Sequence, residues 1–215
     1  VAGEVGRGTY VKALRGAEDG FFGDGHGEGQ LIDLSLNSPP LGQQETVILE
    51  TLEKISRSFE TRKMLDYLPH QGLERHRSLI ARWAGCNIFS PNPENVILCN
   101  GAQHAMSLIC GGFLQPNDTV LTERLTYAGM KALATWRHLK LSGVEMDAHG
   151  LIPDALDEAC ARTGARLLYT IPTLQNPTAT LMPETRRQEI VEVARRWDLT
   201  ILESDVYSFL CDKAP

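Results

Sequence analysis

Residues 166–207 constrain the fold of this chain more than any other stretch of its sequence. Leu167–Ile171 and Leu199–Leu202 are short apolar runs, and apolar residues recur at helical spacing between them. The pattern predicts a strand, a helix and a second strand, with Pro183 in the first turn of the helix, where its missing N–H needs no helical partner. A crossover of this length makes the two strands parallel neighbours, so both end at the same edge of a sheet.

Polar residues follow both predicted strands at this edge, which is where open α/β sheets bind their ligands. Asn176 lies in a Gln-Asn-Pro-Thr loop after the first strand, and Asp205 and Tyr207 lie in Glu-Ser-Asp-Val-Tyr after the second. Asn or Asp alone is more typical of a turn cap than of a ligand site. An amide, a carboxylate and a phenol at one edge together favour a ligand site.

These residues resemble the cofactor edge of pyridoxal-phosphate enzymes of fold type I, the fold of aspartate aminotransferase. The resemblance implies that Asn176 and Tyr207 reach the phenolic oxygen of the pyridine ring, and that Asp205 pairs with the ring nitrogen. A carboxylate there keeps the ring protonated, and a protonated ring is the electron sink that stabilises a carbanion on the substrate. The implied cofactor is pyridoxal 5'-phosphate (PLP).

The same resemblance implies the fold class. We expect an α/β architecture, a PLP-dependent-transferase large domain that is incomplete in this chain. Such a domain has three layers, with a mostly parallel sheet covered by helices on both faces.

Two further turns match this family. Glu94–Cys99 has the composition of a buried strand, and it turns directly into a predicted helix whose first N–H groups suit a phosphate. Any βα turn looks similar, so this signal is weak alone; in the family a Gly-small-Gln turn holds the cofactor phosphate, which implicates Gly101, Ala102 and Gln103. Tyr127, at the start of another predicted helix, matches an aromatic residue that stacks on the pyridine. Its alternative is a tyrosine packed at a helix start.

Tyr67 and Gly72 form a Tyr-x-x-x-x-Gly pattern before a basic amphipathic helix, which resembles another block of the family. In these dimers the tyrosine reaches the cofactor phosphate of the neighbouring subunit. The resemblance therefore implies a homodimer in which Tyr67 acts across the interface. A partly buried tyrosine with no such role is the alternative.

The rest of the chain alternates between helical and extended patterns. Hydrophobic spacing predicts helices over 45–59, 73–85, 100–113, 127–138 and 153–162, and strands over 119–122 and 139–146.

The N-terminal residues suggest a larger protein. Gly6–Val11, Gly-Arg-Gly-Thr-Tyr-Val, resembles the closing wing strand of GntR-type winged-helix DNA-binding domains, although a plain turn and strand would read the same way. A Gly-rich, acidic stretch without periodicity follows and is typical of a flexible linker. Leu31–Pro40 then resembles the start of the aminotransferase-like domain in the MocR group of GntR regulators, which join a winged helix, a linker and a fold-type-I domain in this order.

These observations predict the domain organisation. Residues 1–12 are a possible remnant of the winged-helix wing, residues 13–44 are a linker and N-terminal arm, and residues 45–215 are a partial PLP-binding large domain.

In fold-type-I enzymes a lysine on a Ser-x-Ser-Lys-like turn forms a Schiff base with the cofactor. No lysine of this chain has such a context, so we expect a fragment that lacks this lysine, has no catalytic residue of its own and has no transaminase activity.

Composition excludes several other classes. The formal charge of −6 offers no basic patch for DNA, so any DNA binding would come from a missing N-terminal domain. No apolar run is long enough to cross a membrane, and the cysteines are scattered without metal-ligand spacing, so we expect a cytoplasmic protein without a metal site.

The leading functional prediction is the effector-sensing PLP domain of a MocR-type transcriptional regulator, which binds a small amine or amino acid. The alternative is a fragment of a free-standing aminotransferase that acts on an α-amino acid. A third interpretation keeps the α/β sheet and assigns it to some other ligand.

Overall fold

The computed structural model describes residues 2–4, 8–10, 42, 44–58, 65–85 and 90–211. The chain divides into two compact units, one formed by Val1–Gly23 with Asn100–Pro215 and the other by Asp24–Cys99.

The described strands lie in the first unit. They are β1 (Ala2–Glu4), β2 (Gly8–Tyr10), β3 (Thr119–Glu123), β4 (Lys140–Val144), β5 (Met146–Asp147), β6 (Gly150–Leu151), β7 (Leu167–Thr170) and β8 (Thr200–Glu203).

The described helices lie in both units. They are α1 (Gln44–Ser56), α2 (Glu74–Ala84), α3 (Ala102–Phe113), α4 (Ala128–Arg137), α5 (Pro153–Thr163) and α6 (Glu184–Arg196).

Four parallel strands form the central sheet in the order β4-β3-β7-β8. The predicted strand-helix-strand unit is confirmed, because β7 and β8 are parallel neighbours with Leu167 beside Thr200 and Thr170 beside Glu203. Pro183 is the N-cap of α6 and therefore precedes the first turn in which we expected it. All four residues of β7 are buried, since this strand has a neighbour on both sides and helices over both faces.

Helices α5 and α6 cover one face of the sheet. Leu121 and Leu168 point to this face and are fully buried among residues of the two helices, including Leu156, Cys160 and Ile190. The other face carries α3 and α4 over Val120, Leu167 and Tyr169; the helices contribute, among others, Met106, Cys110, Met130 and Leu133 to this second core. The predicted three-layer α/β architecture is thereby confirmed.

Two small antiparallel hairpins accompany the sheet. In β5–β6, Met146 pairs with Leu151. In β1–β2, Ala2 pairs with Tyr10 and Glu4 with Gly8. The first hairpin extends the predicted 139–146 strand region beyond a short break. The second includes part of the predicted wing strand Gly6–Val11, of which Gly6, Arg7 and Val11 lie outside the described residues.

The unit Asp24–Cys99 contains α1, α2 and a 3₁₀ turn over Pro93–Asn95. The buried Arg77 of α2 joins the parts of this unit: its Nε donates to the carbonyl of Gly72 (3.2 Å) and its Nη1 to the carbonyl of Pro93 (2.6 Å). The predicted linker and arm, 13–44, lie outside the described residues except for residues 42 and 44.

The predicted strand over Glu94–Cys99 is wrong. The segment begins within the 3₁₀ turn, and its continuation forms no strand within the described residues. A β-strand needs a neighbour along its length, whereas here Leu98 N–H donates to Gln71 O (3.0 Å) as an isolated backbone bond. The first two helices expose apolar side chains, which are Val47, Ile48, Leu52 and Ile55 of α1 and Leu79, Ile80 and Trp83 of α2.

Among the helices that the structure describes, none combines the length and apolarity needed to cross a membrane.

Candidate cofactor site

The carboxyl ends of β7 and β8 bring Asn176 and Asp205 to one edge of the sheet. Ser204 N–H donates to the carbonyl of Thr170 (2.9 Å), which continues the strand pairing one residue beyond β8. Asp205 follows directly, is exposed, and accepts a hydrogen bond from Ser208 Oγ (2.8 Å). This bond fixes one carboxylate oxygen and leaves the other available to a ligand.

The N-terminus of α3 lies beside the same strand end. Gly101 is the N-cap of this helix, and its φ of 82° is a conformation that favours glycine. The N–H groups of Ala102 and Gln103 are in the first turn, where an α-helix provides no internal acceptor, and the helix dipole adds partial positive charge. The predicted phosphate turn therefore has suitable chemistry, although residues 90–100 directly before it form no strand.

A cavity of about 130 Å³ joins this helix terminus to Asp205. It is lined by Ala102, Ala105, Met106, Leu202, Glu203, Ser204, Asp205 and Val206. Two of the predicted site residues thus line the same cavity: Ala102 of the phosphate turn and Asp205, which is predicted to pair with the ring nitrogen. A larger cavity, lined by residues 191–201, lies at the opposite end of β8 and contains no predicted site residue.

Tyr127 is the N-cap of α4 and packs tightly against the phosphate turn. Gln103 Nε2 donates to the carbonyl of Gly129 (3.1 Å). A Cβ atom at Gly129 would overlap the Tyr127 ring and lie 2.6 Å from Gln103 Oε1, so a residue without a side chain is required between them. The Tyr127 ring is thereby held in place from one side.

Three phenols lie close enough for their charges to interact. Burial raises the pKa of Tyr127, and the phenol of Tyr207 raises it further. Burial raises the pKa of Tyr169 to about 12; Ser204 opposes this shift, and the charges of Glu123, Tyr127 and Tyr207 add to it. The structure therefore brings the predicted residues Tyr127 and Tyr207 together and adds Tyr169 to them.

Asn176 lies in the loop between β7 and α6, before a cis peptide bond to Pro177. It is half-buried, and within the described residues its side chain makes no hydrogen bond. An amide whose polar atoms are unpaired is suited to bind a ligand oxygen.

Four buried polar atoms lack a hydrogen-bond partner within the described part of the chain: Gln103 Oε1, Glu123 Oε2, Thr126 Oγ1 and Tyr169 Oη. Ser204 lies near the Tyr169 hydroxyl, but this hydroxyl has no hydrogen-bond partner among the described residues. Unpaired buried polar atoms are rare and costly, so their concentration at the carboxyl edge favours a polar ligand or ordered water there. Helix N–H groups, an amide, a carboxylate and phenols match the phosphate and the aromatic, hydrogen-bonding ring of PLP.

Glu123 and Tyr169 are two residues at this edge that the sequence patterns did not indicate. Glu123 is the last residue of β3 and is 1% exposed; its Oε1 accepts hydrogen bonds from Thr170 Oγ1 (2.5 Å) and Ile171 N–H (2.8 Å). An acidic residue that ends an otherwise uncharged strand was the available signal. Tyr169 looks in the sequence like any other apolar position of β7.

Tyr67 belongs to the other unit, where its side chain is fully exposed, so its predicted role across a dimer interface stays a prediction. Lys131 and Lys140 are the lysines described in the unit that contains the sheet, and both are exposed and absent from the cavity lining. No cluster of three or more metal-ligating side chains occurs among the described residues.

Comparison with known proteins gives consistent relatives. L-tyrosine:2-oxoglutarate aminotransferase amt1 of Serpula lacrymans is 33% identical over 176 residues, covering 79% of this chain and 34% of that protein. The HTH-type transcriptional regulator YdfD of Bacillus subtilis is 32% identical over 164 residues, covering 75% of this chain and 33% of that protein. The chain thus spans about a third of the length of these relatives.

Solved structures agree with the sequence relatives. LysN, the α-aminoadipate aminotransferase of Thermus thermophilus, solved with N-(5'-phosphopyridoxyl)-L-leucine, has a TM-score of 0.65 and 29% identity, covering 74% of this chain and 40% of that one. The family model "Aminotransferase class I and II" matches residues 29–215. This match extends over most of the sequence, and the chain therefore belongs to the class I and II aminotransferase family.

Proposed function

We propose that this chain is the PLP-binding, effector-sensing domain of a GntR/MocR-type transcriptional regulator. The observation that carries the PLP part is the set of unpaired polar groups at the carboxyl edge of the sheet, beside the N-terminus of α3 and the cavity that contains Asp205. Pyridoxal phosphate is the cofactor of this family.

The chain's own residues have distinct roles in this proposal. The N–H groups of Ala102 and Gln103, with the dipole of α3, bind the phosphate. Asp205 holds the proton of the pyridine nitrogen, while Asn176 and Tyr207 bind the phenolic oxygen. Pyridoxal phosphate, when bound, supplies a protonated ring that withdraws electrons from the α-carbon of an amine.

Tyr127 and Gly101 complete this arrangement. Tyr127 stacks on the pyridine ring, and its packing against Gly129 limits the positions that its own ring can take. Gly101 provides the left-handed backbone that starts α3 at the phosphate. The ligand in this site is a small amine or amino acid, and its occupancy would alter the attached DNA-binding domain.

The regulator part rests on two observations. The relative YdfD is named as an HTH-type transcriptional regulator, and residues 2–10 include the hairpin β1–β2 in the segment that resembles a winged-helix wing. In this organisation residues 1–12 end the wing, residues 13–44 link the domains, and residues 45–215 are part of the sensor. DNA binding then belongs to an N-terminal domain, which agrees with the net charge of −6 of this chain.

We also propose that the protein is cytoplasmic and forms a homodimer, in which Tyr67 reaches the cofactor phosphate bound by the neighbouring subunit. The exposed Tyr67 side chain is compatible with a contact made to another chain.

The second candidate is a part of a free-standing aminotransferase. The relatives amt1 and LysN favour it, because both are named as aminotransferases. In either case this chain carries the cofactor edge described above.

Thermal unfolding of the purified chain with PLP and a panel of amino acids and amines tests the proposal. Binding to the native state raises the unfolding temperature, and the increase grows with the logarithm of the ligand concentration divided by its dissociation constant. We expect PLP to raise it, a subset of amines to change it further, and no amino group to be transferred to 2-oxoglutarate. Both candidates predict that this chain transfers no amino group, so transfer would contradict the expected lack of the Schiff-base lysine, and absence of any shift with PLP would contradict both candidates.

A further inference from the structure

Gln175 is the most firmly held residue of the loop that carries Asn176. It is 4% exposed, and its side-chain amide bonds in two directions. Nε2 donates to the carbonyl of Leu125 (2.6 Å), and Oε1 accepts from both the N–H (2.9 Å) and the hydroxyl (2.8 Å) of Thr178.

The backbone of Gln175 is fixed as well. Its N–H donates to the carbonyl of Thr180 (2.9 Å), and its carbonyl accepts from Ala179 N–H (2.6 Å). These bonds close the loop on itself around Asn176 and the cis bond that follows it. The position of Asn176 is therefore set by its immediate neighbour.

Leu125, whose carbonyl accepts the hydrogen bond from Gln175 Nε2, lies in the loop that carries Tyr127. Leu125 precedes Tyr127 by two residues, and its side chain is 51% exposed, so apolar packing gives this turn little support. Backbone pairing holds the turn before and after that point, through Arg124 N–H to Val144 O (2.9 Å) and Met130 N–H to Tyr127 O (3.0 Å). Between them, Gln175 ties Leu125 to a segment fifty residues later in the chain.

We propose that Gln175 is a positioning residue that holds the Tyr127 turn and the Asn176 loop at a fixed separation, so that the ring of a bound cofactor meets both. The inference deepens the proposed function and rests on it for the identity of the ligand. The bond from Gln175 to Leu125 joins the two loops that carry the candidate ring contacts Asn176 and Tyr127.

The variant Gln175→Glu tests this link with a minimal change of shape. The new carboxylate keeps an acceptor for Thr178 but places an oxygen against the Leu125 carbonyl, so the bond between the two loops is lost. Gln188→Glu is the matched control, because it adds the same charge at an exposed amide of α6 that pairs with Glu184 (2.9 Å). Gln175→Met, which is neutral and similar in size, replaces the first variant if the carboxylate prevents folding.

Hydrogen exchange of the cofactor-free chain is the first measurement. Loss of the link should speed exchange in residues 124–129 as well as in residues 171–182, while the Gln188 control behaves as the unmodified chain. If exchange in residues 124–129 is unchanged in a folded Gln175 variant, the inference is overturned, whatever the cofactor does.

Equilibrium PLP binding is the second measurement. We expect affinity to be about tenfold weaker in the Gln175 variants and unchanged in the control, which corresponds to the loss of one buried hydrogen bond. Faster exchange with undiminished PLP affinity would overturn the positioning role. If the unmodified chain binds no PLP, the proposed function fails, and the exchange result alone then decides whether Gln175 joins the two loops.

Discussion

Substitutions of Glu123 test whether its buried carboxyl joins the ends of β3 and β7 beside the candidate site. Oε1 of this residue accepts hydrogen bonds from Thr170 Oγ1 and Ile171 N–H, and Oε2 is buried without a partner in the described residues. Burial raises the pKa of Glu123, and the hydrogen bonds from Thr170 and Ile171 oppose that shift. The pKa of Glu123 thus reflects two opposing effects, desolvation of the carboxylate and hydrogen bonds from two donors.

The expected losses of stability follow from these contacts. In Glu123→Gln the amide oxygen still accepts both bonds, so the free energy of unfolding should change by no more than about 1 kcal/mol. In Glu123→Ala two buried donors lose their acceptor and a small cavity forms, which together should cost about 3–5 kcal/mol.

The pH dependence has a defined sign. A carboxyl whose pKa is raised in the folded state binds its proton more tightly there, so its stabilising effect is full at low pH. It is lost as pH rises from the unfolded pKa to the folded pKa. We expect the unmodified chain to lose stability across that window relative to Glu123→Gln, which cannot titrate.

Urea unfolding of the three chains at several pH values, followed by circular dichroism, measures both effects. Other titrating groups cancel in the difference between the unmodified chain and Glu123→Gln. A pH-independent difference, or a Gln variant as unstable as the Ala variant, would refute the assigned environment of Glu123.

Three further substitutions have expected outcomes. Tyr169 has a buried, unpaired hydroxyl whose pKa of about 12 exceeds the ordinary 10.0, so the unmodified chain should lose stability on the order of 2 kcal/mol between pH 10 and 12. Tyr169→Phe should abolish this loss, as measured by urea titrations. Gly129→Ala should weaken PLP binding in a titration by displacing the Tyr127 ring, whereas Gly112→Ala, where a Cβ meets nothing within 4 Å, should not. Leu168→Ala should cost about 2–5 kcal/mol in denaturant unfolding, and the half-exposed Leu108→Ala under about 1.

The sheet was predictable because its strands and helices are local patterns. The run Leu167–Ile171 and the apolar spacing of α6 define one strand-helix-strand unit, and the chirality of such units fixes its arrangement. The prediction of a strand over Glu94–Cys99 was wrong because apolar composition favours extended backbone but does not reveal whether a partner strand lies beside it.

The positions of Asn176 and Asp205 at one edge followed from topology, and those of Gln103 and Tyr127 from resemblance. The hydrogen bonds that support these residues could not be predicted from the sequence, because such bonds join residues far apart in the chain. Glu123 meets Ile171 across two strands, and no spacing in the sequence identifies such a pair.

PLP titration of Asp205→Asn beside the unmodified chain tests the central claim most directly, with absorbance and induced circular dichroism of the cofactor as signals. Asp198→Asn is the matched control: it makes the same change at an exposed residue with φ of 50°, which Asn tolerates, at the opposite end of β8. We predict saturable binding that weakens in Asp205→Asn and is retained in Asp198→Asn. Absence of saturable binding, or equal binding by all three chains, would contradict the placement of the cofactor against Asp205.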